Sequence, residues 1–431
     1  MLDLTPAPER ALLVGVGLKT DSINELENNI TELAQLAETA GALVVGIVRQ
    51  RLEKIVPATF IGSGKVQEIA KLKDETQANM VIVDTRLSGV QQRNLQELIG
   101  CKVLDRPQLI LDIFAQRAQT REGKLQVELA QLKDQGPRLI GEAIAGLSRL
   151  AGGIGTRGPG ETKLEMDRRR IRTRMEYVTK ELDAVRKSRE LHRQRRQSSR
   201  VPVISLAGYT NAGKSTLLNK LTRSDVYVED KLFATLDPTT RKLRLPRGRN
   251  VVITDTVGFI NHLPHHLIEA FKATFEEITA ADLILHVHDA SHTQASLQSK
   301  VVTDLLSEIG TKDKPVIHVY NKIDKTQEPA EKSTQRESPF VNVSAVSGEG
   351  IEKLLTAIED HLLKMAIPVD LYLPAGEPAL IFDLARDGKI ISQSQGPHIV
   401  HCRVELSEEA LQRWSSFLDQ TTKESGDTGN S

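Results

Sequence analysis

Apolar and polar positions along this chain fall into two rhythms. From residue 11 to 105, short apolar runs alternate with stripes at helical spacing. Ala11 to Leu18 reads as a strand, Ile23, Leu26, Ile30, Leu33 and Leu36 line one helix face, and Ala42 to Val48 reads as a second strand. A helix over Lys65 to Thr76, a strand over Met80 to Val83, a helix over Ser88 to Ile99 and a strand over Cys101 to Leu104 follow. Repeated strand–helix units predict a small α/β domain with a parallel sheet over residues 1–105.

Residues 106–200 change rhythm. Leu125, Leu129 and Leu132 predict a helix, with a break or kink at Gly136-Pro137 and helix again to Leu150. Ala151 to Gly160 holds five glycines and a proline, which reads as a loop. From Glu161 the apolar residues Leu164, Ile171, Met175, Val178, Leu182 and Val185 follow a heptad seam. The expectation is an antiparallel helical hairpin.

Residues 201–365 return to strand and helix. The run from Val201 turns at Gly208 and continues as a helix carrying Leu217, Leu218 and Leu221. Val251 to Phe259, Leu283 to Val287, Pro315 to Asp324 and Val341 to Ser347 contain further strands, and Leu354 to Leu363 closes the unit as a helix. Residues 366–420 read strand, helix, strand, strand, helix, a small α+β module. Residues 421–431 are polar and predict a disordered tail. The fold expected is therefore a multidomain α/β chain: N-terminal α/β domain, helical hairpin, central α/β domain and C-terminal α+β domain.

Composition adds little to this picture except through the placement of charge. The 431 residues exceed a single typical domain, and 39% hydrophobic with 26% charged residues suits packed cores. Formal net charge is +0, yet Arg157 to Arg200 holds 15 Lys+Arg against 7 Asp+Glu, an excess of +8. A chain that segregates charge in this way presents the basic part to phosphates. Arg157, Arg168, Arg169, Arg170, Arg172 and Arg174 are the candidate RNA contacts. Tyr177 is the one interleaved aromatic, so phosphate and shape reading of folded RNA fits better than base stacking. The two cysteines, Cys101 and Cys402, lie in apolar runs and read as buried thiols in a reducing compartment. Neither a leader nor a membrane-spanning run is expected, which places the chain in the cytoplasm, with peripheral membrane association as the alternative.

The chemistry begins at Gly208-Tyr209-Thr210-Asn211-Ala212-Gly213-Lys214-Ser215, a complete G-x-x-x-x-G-K-S loop between strand and helix, so residues 201–365 are expected to form a Ras-like P-loop domain. Inward backbone amides and the helix start suit phosphate oxygens. Lys214 reaches the β- and γ-phosphates, and the Ser215 hydroxyl suits Mg²⁺. Side chains at Gly208 and Gly213 are expected to block the phosphates' approach. Asp255-Thr256-Val257-Gly258 supplies a carboxylate near Mg²⁺ and a glycine N–H for the γ-phosphate. Asn321-Lys322-Ile323-Asp324 ends a strand. The Asp324 carboxylate accepts from the guanine N1–H and 2-amino group, and adenine would leave it unpaired. Ser344-Ala345-Val346 suits backbone contact with the guanine O6. In Phe233-Ala234-Thr235-Leu236-Asp237, Thr235 is preferred to Thr239 and Thr240 as a second Mg²⁺ ligand, on a loop that orders with the γ-phosphate. The expected catalytic set is Lys214, Thr235 and Gly258. Phe259 stands where a water-orienting glutamine would sit, so intrinsic hydrolysis is expected to be slow.

Two motifs receive plain readings. Ile61-Gly62-Ser63-Gly64-Lys65 lacks the full phosphate-loop spacing and reads as a glycine turn before a helix, with a second nucleotide site as the alternative. His262, His265, His266, His286 and His288 read as packing and loop residues, since no Cys partner or H-E-x-x-H accompanies them.

GYTNAGKST, FATLDPTTR, DTVGF and NKID, with GGIGTRGPGETKLE upstream, resemble the HflX group of translational GTPases over about residues 10 to 415. The resemblance implies a Mg²⁺-dependent enzyme that hydrolyses GTP to GDP and phosphate, with ATP as a further suggested substrate. It also implies binding to the large ribosomal subunit, with rRNA contact, and parting of stalled or idle ribosomes under stress. The expected protein is a monomer without DNA contact. A ribosome-assembly factor and an RNA-independent regulatory switch are the competing readings.

Overall fold

The computed structural model describes residues 8–20, 22–149, 159–198, 201–223, 232–261, 264–326, 339–364, 367–406 and 408–418. β1 (Arg10–Leu18), α1 (Ile23–Thr39), β2 (Leu43–Leu52), α2 (Ser63–Thr76), β3 (Met80–Val83), α3 (Gly89–Ile99) and β4 (Lys102–Asp105) build a parallel sheet in the order β2-β1-β3-β4. The helix starts are locally encoded. Ser88 with Gln91 and Asp105 with Gln108 form capping boxes, the second opening α4 (Arg106–Arg117). Gly62 caps α2, and Lys65 pairs with Glu68 one helical turn on.

α5 (Arg121–Arg149) and α6 (Pro159–Ser198) pack as the expected hairpin. Val178 and Leu182 are buried with Leu129, and Met175, Leu125 and Leu132 flank them. The glycine-rich loop and Arg157 lie outside the described residues. Of the break or kink predicted at Gly136-Pro137, the break is absent: Pro137 sits inside one continuous helix. An interior proline costs about 3 kcal/mol. Its neighbour Arg138 offsets this by bonding Asp134 at 2.7 Å, Gln92 at 2.7 Å and Asp105 at 2.8 Å, which ties α5 to the N-terminal domain across the proline.

β5 (Val203–Gly208), α7 (Lys214–Thr222), β6 (Thr239–Arg244), β7 (Asn250–Asp255), α8 (His265–Ala270), α9 (Lys272–Thr279), β8 (Leu283–Asp289), α10 (Ala295–Glu308), β9 (Val316–Asn321), β10 (Phe340–Asn342) and α11 (Ile351–Lys364) form the central unit. Its sheet runs β10-β9-β8-β5-β7-β6, parallel except for the β6 edge. β11 (Ile367–Pro374), α12 (Pro378–Asp387), β12 (Gly388–Gln395), β13 (Ile399–Leu406) and α13 (Glu408–Arg413) end the described chain, with an antiparallel sheet ordered β11-β13-β12. The last helix is shorter than the predicted Ser407 to Leu418, and a 3₁₀ turn follows it. Residues 421–431 lie outside the described residues.

Cys402 is buried in this last core, but Cys101 is only half-buried at the turn between α3 and β4. Desolvation pushes both thiols up. No described helix is long and apolar enough to cross a membrane.

His286 and His288 are buried on one face of β8, and the parallel register sets His318 of β9 beside them. His288 Nε2 and His318 Nδ1 share a hydrogen bond at 3.0 Å, and Tyr320 stacks on His288 at 4.7 Å. Desolvation, with the neighbouring imidazoles, holds His286 well below the usual range and His288 down to about 3. His286 and His288 are thus held neutral, and with His318, which was not foreseen, their ring nitrogens lie within 4.8 Å of one another, a grouping that could hold a metal ion.

Candidate nucleotide-binding site

The predicted site residues meet at the carboxyl ends of the central strands, where open α/β sheets hold ligands. Gly213 adopts φ +88°, which glycine tolerates, and opens α7 with Lys214 and Ser215 on its first turn. The glycines serve a second purpose that the sequence did not show. A Cβ on Gly208 would stand 2.3 Å from the Val287 carbonyl, and one on Gly213 would stand 2.3 Å from Asn321 Nδ2. Both are small because neighbouring strands press against the loop, as well as to admit phosphate.

Lys214 is buried, and its Nζ donates to the carbonyls of Gly208 at 3.0 Å and Tyr209 at 2.8 Å. Desolvation lowers its pKa to about 8, opposed by Asp255. Ser215, Thr235 and Asp255 converge. Ser215 Oγ lies 2.8 Å from Thr235 Oγ1 and 2.6 Å from Asp255 Oδ2, and Thr235 Oγ1 lies 3.1 Å from Asp255 Oδ2. Adjacent oxygens around octahedral Mg²⁺ stand about 2.9 Å apart. Asp255 Oδ1 is buried without a partner, and burial raises the carboxyl's pKa. These hard oxygens and the orphaned carboxylate atom fit Mg²⁺.

Thr239 and Thr240 fall on β6, paired with Asp255 and Thr254, which leaves Thr235 as the loop threonine at the cluster. Ala234 lines the same cavity. Phe233 and Leu236 are buried, and the Asp237 carboxylate turns away from the cluster toward the start of α5, accepting from the Gln119 and Thr120 amides at 2.9 Å each. Thr256 anchors the next segment by donating to Leu206 O at 2.7 Å, and Val257 is core. A Cβ on Gly258 would meet Thr210 Cα at 2.8 Å and Lys214 Nζ at 3.1 Å. Phe259 is buried and stacks on Phe275 at 5.5 Å, and its backbone pairs with Gly208 and Thr210. No polar side chain therefore enters from that position.

The base end is assembled by Asn321, which donates to Ala212 O at 2.9 Å and accepts from Ala345 N at 3.0 Å. Lys322 bonds Asn211 O and Asp289 Oδ2, both at 2.7 Å. Ile323 and Asp324 lie on a 3₁₀ turn, with Asp324 exposed at the rim. Ser344 and Ala345 are buried beside it, and Val346 is exposed.

A second group of contacts had no sequence signal. The Tyr209 hydroxyl donates to Glu32 of α1 and accepts from Asn261 N at 2.8 Å. Arg106, buried, pairs with the same Glu32, with Asp84 at 2.8 Å and with Asn261 O at 3.3 Å. Desolvation opposes its charge, but the two carboxylates more than offset it and raise its pKa. On α6, Arg169, Arg170 and Arg172 are exposed and Arg168 is partly so, whereas Arg174 forks onto Glu128 of α5 and holds the hairpin together.

Three family descriptions match in series: "GTP-binding GTPase N-terminal" over residues 27–115, "GTP-binding GTPase Middle Region" over 117–196 and "50S ribosome-binding GTPase" over 203–322. GTPase HflX of Caldanaerobacter subterraneus subsp. tengcongensis is 48% identical over 97% of this chain and 96% of its own length. The Escherichia coli K12 GTPase HflX is 44% identical over 88% and 89%. A GTP-binding protein of Sulfolobus solfataricus, solved with GDP, is 25% identical with a TM-score of 0.45, covering 82% of this chain and 98% of its own. The chain belongs to the HflX family of GTPases, nucleotide-binding enzymes that hydrolyse GTP.

Proposed function

We propose that the chain is a Mg²⁺-dependent GTPase that binds the large ribosomal subunit and parts stalled or idle ribosomes. The exposed basic face of α6, at Arg169, Arg170 and Arg172 within a segment of charge +8, supports a phosphate-rich partner. Lys214 leaves its carbonyl partners for the β- and γ-phosphates, and the amides at the start of α7 take the phosphate oxygens. Ser215 and Thr235 would hold Mg²⁺, with Asp255 beside them, and the ion would supply charge neutralisation for the transferring phosphoryl group. Hydrolysis is positional and electrostatic, and it is slow on its own because Phe259 cannot orient water. Asp324 reads the guanine edge.

The test is co-sedimentation with purified large subunits and gradient analysis of mature ribosomes, with GTP analogue or GDP. Splitting of mature ribosomes with triphosphate, lost when Arg169, Arg170 and Arg172 become Gln, is the expected result. Binding to precursor particles alone would favour an assembly factor. Equal indifference to ribosomes with either nucleotide would refute the proposal.

A further inference from the structure

The loop carrying Thr235 is held from one side by α4 and from the other by the connection between α4 and α5. On one side, Phe233 is buried edge-on against Phe114 of α4, ring centroids 4.7 Å apart. Its φ of +53° is a left-handed conformation that a non-glycine residue keeps only where packing dictates it. On the other side, Asp237 Oδ2 accepts from the Gln119 and Thr120 amides at 2.9 Å each. Thr120, whose hydroxyl accepts from Gly123 N at 2.9 Å as the cap of α5, also bonds Asp237 Oδ1. The negative group thus sits at the positive end of a 29-residue helix. The approach depends on Gly123, where a Cβ would stand 2.4 Å from Asp237 Oδ1. One residue, Leu236, separates Asp237 from Thr235, so fixing one fixes the other.

We infer that Asp237 and the Thr120 cap of α5 are positioning residues for hydrolysis: they hold Thr235 toward Mg²⁺ and the γ-phosphate, so the middle helices complete the triphosphate site in cis. The inference rests on the role given to Thr235 above and needs no ribosome. It also makes the coupling reciprocal, because anything that shifts the start of α5 must act on Thr235, and the nucleotide must act back on α5.

Full-length protein would be compared as wild type, Asp237→Ala, Asp237→Asn, Thr120→Ala, their double variant, Gly123→Ala and Thr235→Ala. The readouts are kcat, KM and the separate affinities for GDP and a non-hydrolysable GTP analogue in Mg²⁺. Gly123→Ala favours the helix intrinsically, which guards against simple misfolding. Expected are an about tenfold fall in kcat and in the triphosphate-to-diphosphate affinity ratio for Asp237→Ala, Thr120→Ala and Gly123→Ala. The double variant should be no worse than either single change. Asp237→Asn, which keeps an amide acceptor, should recover most of the loss. Equal weakening of both nucleotides, or an unchanged ratio and kcat while Thr235→Ala is defective, overturns the anchor alone. An unaffected Thr235→Ala overturns the Thr235 role beneath it.

Discussion

Replacing Arg106 by Met removes the centre of a buried charge cluster while keeping similar bulk. Arg106 is 1% exposed and serves Asp84, Glu32 and the Asn261 carbonyl, all three outside α4. Removing one partner of a buried pair leaves charge uncompensated, which costs about 3–5 kcal/mol. That corresponds to an increase of about 150- to 5,000-fold in local opening. Because a multidomain chain does not unfold in one step, a single melting temperature would blur the effect. Hydrogen exchange by peptide is the better assay. Protection should collapse in α1 and around residues 84–87 and 259–271 and stay unchanged in the C-terminal sheet. Adding Glu32→Gln and Asp84→Asn should restore most of it, since an uncharged triad leaves nothing to compensate. Loss below tenfold, or loss spread evenly along the chain, would refute the assignment of Arg106 as the electrostatic centre.

Three further outcomes follow from single sites. Asp324→Asn should weaken GTP by about 1–3 kcal/mol and favour xanthosine triphosphate, measured by competitive titration; unchanged GTP affinity removes Asp324 from the base site. Gly258→Ala forces a methyl against Thr210 and Lys214, an overpacking that costs about 1–3 kcal/mol of local stability, and the displaced Gly258 and Lys214 are expected to slow single-turnover hydrolysis. A wild-type rate would show the segment yields freely. His288, held down to about 3 beside His286 and His318, binds a proton in the unfolded chain at a pH where the folded chain does not. Stability is therefore full above about pH 6.5 and falls with acid, by about 2 kcal/mol at pH 5 from this group. His288→Gln should flatten thermal stability measured from pH 7.5 to 5, and an unchanged slope would contradict the neutral state.

What could be read from the sequence was what is local. The phosphate loop, the strand ends at Asp255 and Asn321 and the hairpin seam are each written within about a dozen residues, as glycines at fixed offsets or apolar periodicity. Tyr209 read only as a phosphate-loop residue, because its partner Glu32 is 177 positions away and belongs to another domain. Asp237 was placed at the nucleotide for its position in the loop, yet its carboxylate answers to residues 117 and 118 positions upstream. His318 hid in an apolar strand until the register set it beside His286. The helix runs on through Pro137 because the bonds of Arg138 that offset proline's local penalty are made to Gln92 and Asp105, far away in sequence. Arg174, read from its sequence position as an RNA contact, is exposed and also pairs with Glu128 of α5, 46 positions away.

The same long-range contacts bear on how the enzyme changes state. Leu232, Phe233, Leu236, Val257, Phe259 and Ile260, from both segments that flank the γ-phosphate position, share one apolar cluster with Ile110, Phe114 and Val127. Fully exposing a large apolar side chain costs about 1.5–3 kcal/mol, so freeing Phe233 and Leu236 together costs about 3–6 kcal/mol. A coupling between nucleotide and switch of about 1–3 kcal/mol cannot supply that while α4 and α5 stay in place. Loop release must therefore come with movement of the α4–α5 connection, which keeps the apolar surface covered or gives it a new cover. The element that begins at this connection, α5, is one arm of the basic hairpin. On the proposed ribosome reading, burial couples the nucleotide site to the charged arm, and a partner gripping α6 is expected to change the hydrolysis rate through the packing of Phe114 and Phe233.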